Sequence, residues 1–389
     1  MKSTSCEISF PNNPSGVFYS GQMLNGLVAL NLIKPKTVKG IYVKIIGRAY
    51  CRWTSGSGHH CKSHFGEEFY LNEKTYFVGD DDVLHLIVGE VILAPNQYNY
   101  TFSCVLPISL PTSVEGNIGY IRYSVAVHID KPLWPHQRFQ ECFTVIKALN
   151  LNDEIMLRCP LVKEERNTFF TCCSIFCCKS GSLVLRGSVP VRGYVPGQTI
   201  DILLEINNRS AQSVHNFFIQ FVKYIQYYTH ANSTNTKCDK TIIKSTTCSG
   251  CPRNQTKTYV LSITVPSVPP TESTSNIVRV SYRLQIQGSV GCFHEDPVLV
   301  FPLKIGTYPI LLCDSSQPPT ESTTENYANQ FESTTLLKSA ASPNVPTENI
   351  DSIDPPTYEE AISGSVETGF RPSYPVFRRS PSYAVKPES

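Results

Sequence analysis

The chain has 389 residues, enough for two ordinary domain cores and a tail, and its formal charge of +2 gives no electrostatic basis for holding nucleic acid. The opening "MKSTSCEISFPNN" lacks the apolar run of a secretory signal, and no stretch approaches 18 consecutive apolar residues. These features predict a cytoplasmic, non-spanning protein whose 15 cysteines are mostly reduced, with the Asn208, Asn232 and Asn254 sequons outside the glycosylating compartment.

In chain order, the first strong signal is "GIYVKIIGRAYCRW". Ile41, Val43, Ile45, Gly47, Ala49, Cys51 and Trp53 fall on one face, and Lys44, Arg48 and Arg52 fall on the other. That is a half-buried strand. "GYIRYSVAVHID" sets Ile121, Tyr123, Val125, Val127 and Ile129 against Arg122, Ser124, His128 and Asp130, and "QTIDILLEI" alternates in the same way. Helical periodicity is scarce. The pattern predicts an all-β fold of antiparallel sandwiches.

The chain also repeats itself. Gly21-Gln22, Asn31 and Ile41 match Gly197-Gln198, Asn207 and Phe217 at an offset of 176. Ser103, Pro107, Pro111, Asn117 and Tyr123 match Ser262, Pro266, Pro270, Asn276 and Tyr282 at an offset of 159. Two tandem sandwiches of like topology follow, with Tyr123 and Tyr282 on equivalent strands. The first copy must carry the extra residues, and the loop around "TSGSGHHCKSHFG" is the expected place. The boundaries read as a first sandwich over 1–150, a Cys-rich linker over 151–180, a second sandwich over 181–311 and a tail over 312–389. The tail is polar and proline-rich, with too little apolar surface to offset the entropy of folding, so it is expected to be disordered.

Taken together, "YSGQMLNGLVAL", "RGYVPGQTIDILLEINN", "SVEGNIGYIRYSVAVHID", "IVRVSYRLQIQ" and "FPLKIGTYPI" resemble the arrestin clan, and the tail's "PPTY" narrows this to the arrestin-domain-containing proteins, or α-arrestins. The resemblance implies two immunoglobulin-like, arrestin-type sandwiches without catalysis. It further implies an adaptor that brings WW-domain HECT-type ubiquitin ligases to membrane receptors or transporters, acting at the plasma membrane and endosomes in endocytosis and protein transport. The chain departs from the family's frequent pattern in carrying a single full Pro-Pro-x-Tyr motif.

Pro355, Pro356, Thr357 and Tyr358 are the primary candidate site. A Pro-Pro pair favours polyproline II before docking, so little ordering entropy is lost when a WW groove of aromatic rings accepts it. Tyr374 in "RPSY" and Tyr383 in "SPSY" keep the tyrosine but lose the leading proline, which makes them secondary motifs. Cys172, Cys173, Cys177 and Cys178 in "CCSIFCC" suit burial as small hydrophobes, S-acylation at a membrane surface, or metal, in falling order. Cys248 and Cys251 form a C-x2-C, a candidate redox pair, and resemble in position a thioredoxin-binding cysteine of one branch of the family. The alternative function is therefore a redox-linked regulator that captures thioredoxin through the second domain. "HHCKSH", with His59, His60, Cys61 and His64 near Cys51, reads as a solvated loop, because adjacent histidines rarely serve one ion. Nucleotide-binding, hydrolase and zinc-protease motifs are absent, so neither enzyme activity, cofactor nor metal is expected.

Overall fold

Strands that are apolar on one face must close that face against a second sheet, and the chain does so twice. The structure, a computed structural model, describes residues 4–79, 90–132, 137–173, 176–291, 294–311 and 370–377. The first sandwich contains β1 (Thr4–Ser9), β2 (Val17–Tyr19), β3 (Met23–Leu32), β4 (Lys36–Val38), β5 (Gly40–Ser55) and β6 (Lys62–Val78). It continues with β7 (Val91–Leu93), β8 (Asn96–Val105), β9 (Val114–Glu115), β10 (Gly119–Asp130) and β11 (Gln137–Ile146). One sheet runs β1-β3-β8 and the other β2-β11-β10-β5-β6, with β9 on β10 and a separate β4-β7 ribbon.

The second sandwich contains β12 (Leu161–Cys173), β13 (Phe176–Val189), β14 (Gly193–Tyr194), β15 (Thr199–Asn208) and β16 (Val214–Tyr228). Then come β17 (Thr236–Cys251), β18 (Gln255–Thr264), β19 (Val278–Gly288) and β20 (Val298–Ile305). Its sheets run β12-β13-β15-β18 and β14-β20-β19-β16-β17. The order β1-β3-β8 recurs as β13-β15-β18 and β2-β11-β10-β5-β6 as β14-β20-β19-β16-β17, with β12 added at the edge of the second sandwich. β3 and β15 stand 176 residues apart at both ends, and β8 and β18 stand 159 apart at both ends.

The two offsets meet in one cross-strand pair. Tyr123 of β10 faces Gly47 of β5, and Tyr282 of β19 faces Lys223 of β16. Each tyrosine is buried in its core, and each hydroxyl donates to a proline carbonyl, Pro111 at 2.7 Å and Pro269 at 2.6 Å. The expected equivalence of the two tyrosines is thus present in the structure.

The repeated Gly-Gln has the same physics in both copies. Gly21 and Gly197 have φ of +90° and +91°, a turn that a side chain resists. The following glutamine folds back, and its Oε1 accepts the amide of Tyr19 (2.8 Å) or Val195 (3.1 Å). This turn delivers the chain into β3 and β15.

Two boundaries differ from the sequence reading. The loop between β5 and β6 has a counterpart of similar length between β16 and β17, so "TSGSGHH" is not the insertion. Seventeen residues, 79–95, separate β6 from β8, where only 252–254 separate β17 from β18. The insertion lies there, and its β7 pairs with β4. The second difference concerns the linker. Residues 161–173 pair antiparallel with 176–189 and join the second sandwich, because Leu161 and Phe169 are apolar enough to bury against it. The true connection is shorter, with 3₁₀ turns at Leu151–Asp153 and Ile155–Arg158. There Leu151 is fully buried and packs where Gly193 and Gly306 leave room.

Candidate functional site

Polar contacts line part of the seam where the sandwiches meet. Glu272 is buried, and its carboxylate accepts the amide of Thr112 across the seam at 2.8 Å and that of Thr274 at 2.6 Å. Asp239 accepts the Tyr227 hydroxyl at 2.9 Å and the Asn117 amide of the other sandwich at 3.2 Å. Glu68 accepts both the backbone and side-chain amides of Asn276, at 3.0 and 2.6 Å, and the Tyr70 hydroxyl beside it at 2.6 Å. Tyr70 also lies 2.7 Å from the Ser275 hydroxyl. Burial and the Glu68 carboxylate push the Tyr70 phenol well above its usual range, and burial with Asp239 does the same to Tyr227. Both phenols are therefore donors at every physiological pH.

Close backbone approach completes the seam. A Cβ on Gly66 would fall 2.7 Å from the Tyr228 carbonyl, and one on Gly116 would fall 2.0 Å from the Tyr227 hydroxyl. Beside the seam, Arg122 grips Glu115 through two bonds of 2.7 and 2.8 Å. Burial raises the Glu115 carboxyl, and Arg122 opposes that rise.

Residues 370–377 of the tail lie on this seam, which corrects the expectation of a uniformly free tail. Tyr374 is only 9% exposed, and its hydroxyl donates to the Ser113 carbonyl at 2.8 Å. The physical reason is local composition. Pro372, Tyr374 and Phe377 concentrate apolar surface in an otherwise polar tail, and the seam has groups to receive the intervening backbone. Of the two tyrosines read as secondary motifs, Tyr374 is thus covered by the sandwiches in this structure.

The other predicted sites divide. Pro355, Pro356, Thr357, Tyr358 and Tyr383 lie outside the described residues, as do the side chains of Cys172, Cys173, Cys177 and Cys178. In backbone terms Cys172 pairs with Cys177 and Cys173 with Phe176. Cys248 and Cys251 sit three residues apart in β17, with Cys248 half-buried against the core that encloses Cys251. Cys251 is fully buried and its Sγ lies 3.4 Å from the Gln255 carbonyl. Burial raises both thiols, against a partial pull from Lys257 on Cys251. The strand does not bring them together as a reactive dithiol.

In "HHCKSH", His64 is buried, stacks on Trp53 at 5.3 Å and bonds the Ser55 hydroxyl at 2.8 Å, while Cys61 and His60 are exposed. Cys51 is buried and donates its thiol to the Tyr228 carbonyl at 3.3 Å. Sequence reading missed the seam residues Glu68, Ser113, Asp239 and Glu272, since isolated acids and serines carry no periodic signal.

The arrestin (or S-antigen) N-terminal domain profile matches residues 6–152, and the arrestin C-terminal domain profile matches residues 179–310. The chain is 29% identical over 316 residues to Arrestin domain-containing protein 17 of Caenorhabditis elegans, covering 78% of this chain and 71% of that one. It is 26% identical over 304 residues to mouse Arrestin domain-containing protein 4, covering 77% and 71%. Against rat Arrestin domain-containing protein 1 it is 28% identical over 214 residues, covering 54% and 45%. With the paired sandwiches, the duplicated Gly-Gln turns and both domain profiles in order, the chain belongs to the arrestin-domain-containing (α-arrestin) proteins.

Proposed function

We propose that this protein is a non-enzymatic trafficking adaptor that links membrane cargo to WW-domain, HECT-type ubiquitin ligases. The observation that carries the reading is Pro355-Pro356-Thr357-Tyr358, set in a proline-rich tail behind a tandem arrestin scaffold. The scaffold offers broad strand faces and loops to cargo, and the tail offers the ligase a short ligand already biased towards polyproline II. Ubiquitination of cargo, endocytosis and endosomal sorting follow from holding the two together. Among the described residues no helix is long and apolar enough to cross a membrane, so recruitment to plasma membrane and endosomes would run through cargo. Thioredoxin capture is the weaker reading, because Cys251 is enclosed and Cys248 is itself half-buried against the core.

Titration of the full chain with a purified single WW domain tests this. Tyr358→Ala is expected to lower affinity about 30- to 1000-fold, as loss of an aromatic anchor does. Pro355→Ala is expected to lose about tenfold, because one groove contact and part of the polyproline II bias go. Tyr383→Ala is expected to matter only for tandem WW constructs, where tethering raises effective concentration. Equal affinity of wild type and Tyr358→Ala would overturn the reading.

A further inference from the structure

Among the described residues, hydrogen bonds tie residues 370–377 to both sandwiches. On the first sandwich, the Tyr374 hydroxyl donates to the Ser113 carbonyl at 2.8 Å, and the Ser373 amide donates to the Thr144 hydroxyl at 3.2 Å. On the second, the Ser267 hydroxyl donates to the Tyr374 carbonyl at 2.8 Å, and the Phe377 amide donates to the Pro196 carbonyl at 3.0 Å. Apolar walls come from both sides, Ile146 from the first sandwich and Val268 and Pro270 from the second. Pro372 and Tyr374 point in and Arg371 and Ser373 point out, the alternation of an extended peptide.

The receiving surface is shaped for this backbone. A Cβ on Gly197 would lie 2.5 Å from the Phe377 carbonyl oxygen and 2.7 Å from Val376, so the segment passes directly over a glycine. The same Gly-Gln turn in the first sandwich has only Ile108 near it, at 3.9 Å. With the segment in place Ser113 is fully buried and Thr144 nearly so, so the contacts to Tyr374 and Ser373 are shielded from water.

We propose that the seam is a binding site for an extended Pro-Ser-Tyr-Pro peptide, filled in cis by this chain's own residues 372–377. Filling it clamps the two sandwiches to one another and withholds Tyr374 from any partner that reads tyrosine. The peptide's specificity comes from the slot. A phenol donates one hydrogen to the Ser113 carbonyl, whereas a phosphotyrosine would turn charged acceptor oxygens against that carbonyl and be rejected. Some sixty residues separate the second sandwich from the segment, a tether that gives on the order of millimolar effective concentration or somewhat below. An intrinsic dissociation constant of about 0.1 mM therefore suffices for tenfold protection, and the clamp can still open readily. This inference does not depend on the WW reading, since it concerns Tyr374 and not Tyr358.

Hydrogen exchange on the full chain tests it. In wild type, peptides covering 372–378 should exchange at least tenfold more slowly than a random coil, because the Ser373 and Phe377 amides are bonded. Tyr374→Ala should restore near-coil rates, and Tyr374→Phe should fall between. Exchange in the core strands that hold Tyr123 and Tyr282 should stay unchanged, which separates release of the clamp from unfolding. In a second arm, a labelled peptide spanning residues 370–379 is added to the full Tyr374→Ala chain, whose own segment no longer competes well. Binding is expected, with at least a tenfold loss for the peptide with Ala in place of Tyr374 and no binding for the phosphotyrosine peptide. Coil-like exchange of 372–378 in wild type, or equal binding of the tyrosine and alanine peptides, would overturn the proposal. Intact WW capture alongside either negative result would leave the adaptor reading standing.

Discussion

Gly47→Val is expected to destabilise the first sandwich by about 3 kcal/mol or more. A Cβ at Gly47 would stand 2.4 Å from two ring carbons of Tyr123 and 3.2 Å from the Leu71 Cβ. The ring has nowhere to go. Tyr123 is fully buried, touches Phe143 at 5.9 Å between centroids and is tied through its hydroxyl to Pro111. Denaturant midpoints for wild type, Gly47→Val, Tyr123→Leu and the double variant measure the effect and its origin. The double variant should recover part of the loss, because the smaller side chain yields the space, and a coupling of about 1 kcal/mol or more marks the contact. A change below about 0.5 kcal/mol for Gly47→Val would mean that the tyrosine does not pack over the glycine as described.

Lys223→Met is expected to stabilise the protein by about 1–3 kcal/mol at pH 7 and by much less near pH 10.5. Lys223 occupies the place of Gly47 in the second sandwich, where it is 7% exposed and faces buried Tyr282. Burial lowers its amine from the usual 10.5 to about 8, although Asp239 pulls the other way. Below pH 8 the amine is protonated in both folded and unfolded chains, and the full cost of burying the charge is present. Between pH 8 and 10.5 the folded chain gives up the proton while the unfolded chain keeps it, so stability rises with pH. Above 10.5 the cost is gone. Methionine fills a similar volume without a charge, so its advantage should fade over that same window. Urea midpoints at pH 7, 9 and 10.5 for both proteins test this. Destabilisation by methionine at pH 7 would show that Lys223 is repaid by a charged partner and that Asp239 dominates over burial.

The paired positions also show how much of this protein was legible in its sequence. Period-2 alternation named the long strands, because a strand's faces are set by local geometry alone. The duplication was legible because two copies of one topology need the same turn at the same place. Gly21-Gln22 and Gly197-Gln198 make that turn with the same positive φ and the same glutamine-to-amide bond. The offsets of 176 and 159 therefore carried through to Tyr123 facing Gly47 and Tyr282 facing Lys223. The sequence could determine these features because each depends on residues near in the chain or on a repeated pattern.

What only the tertiary structure decided depends on partners far apart in the chain. Residues 161–173 read as linker because the stretch is polar at first and then cysteine-rich, yet pairing with 176–189 makes them a sheet edge. The insertion at 79–95 was misplaced because a gap between two offsets says how many residues are extra, not where the chain spends them. Glu272 meets Thr112 across 160 positions, and Tyr374 meets Ser113 across 261. No window of sequence contains both members of such a pair. Tyr374 makes the case most sharply. Its neighbours on the chain read as one more weak proline-tyrosine ligand in a polar tail. Its place was set instead by a carbonyl, two hydroxyls and a glycine turn that two separate sandwiches bring to one seam.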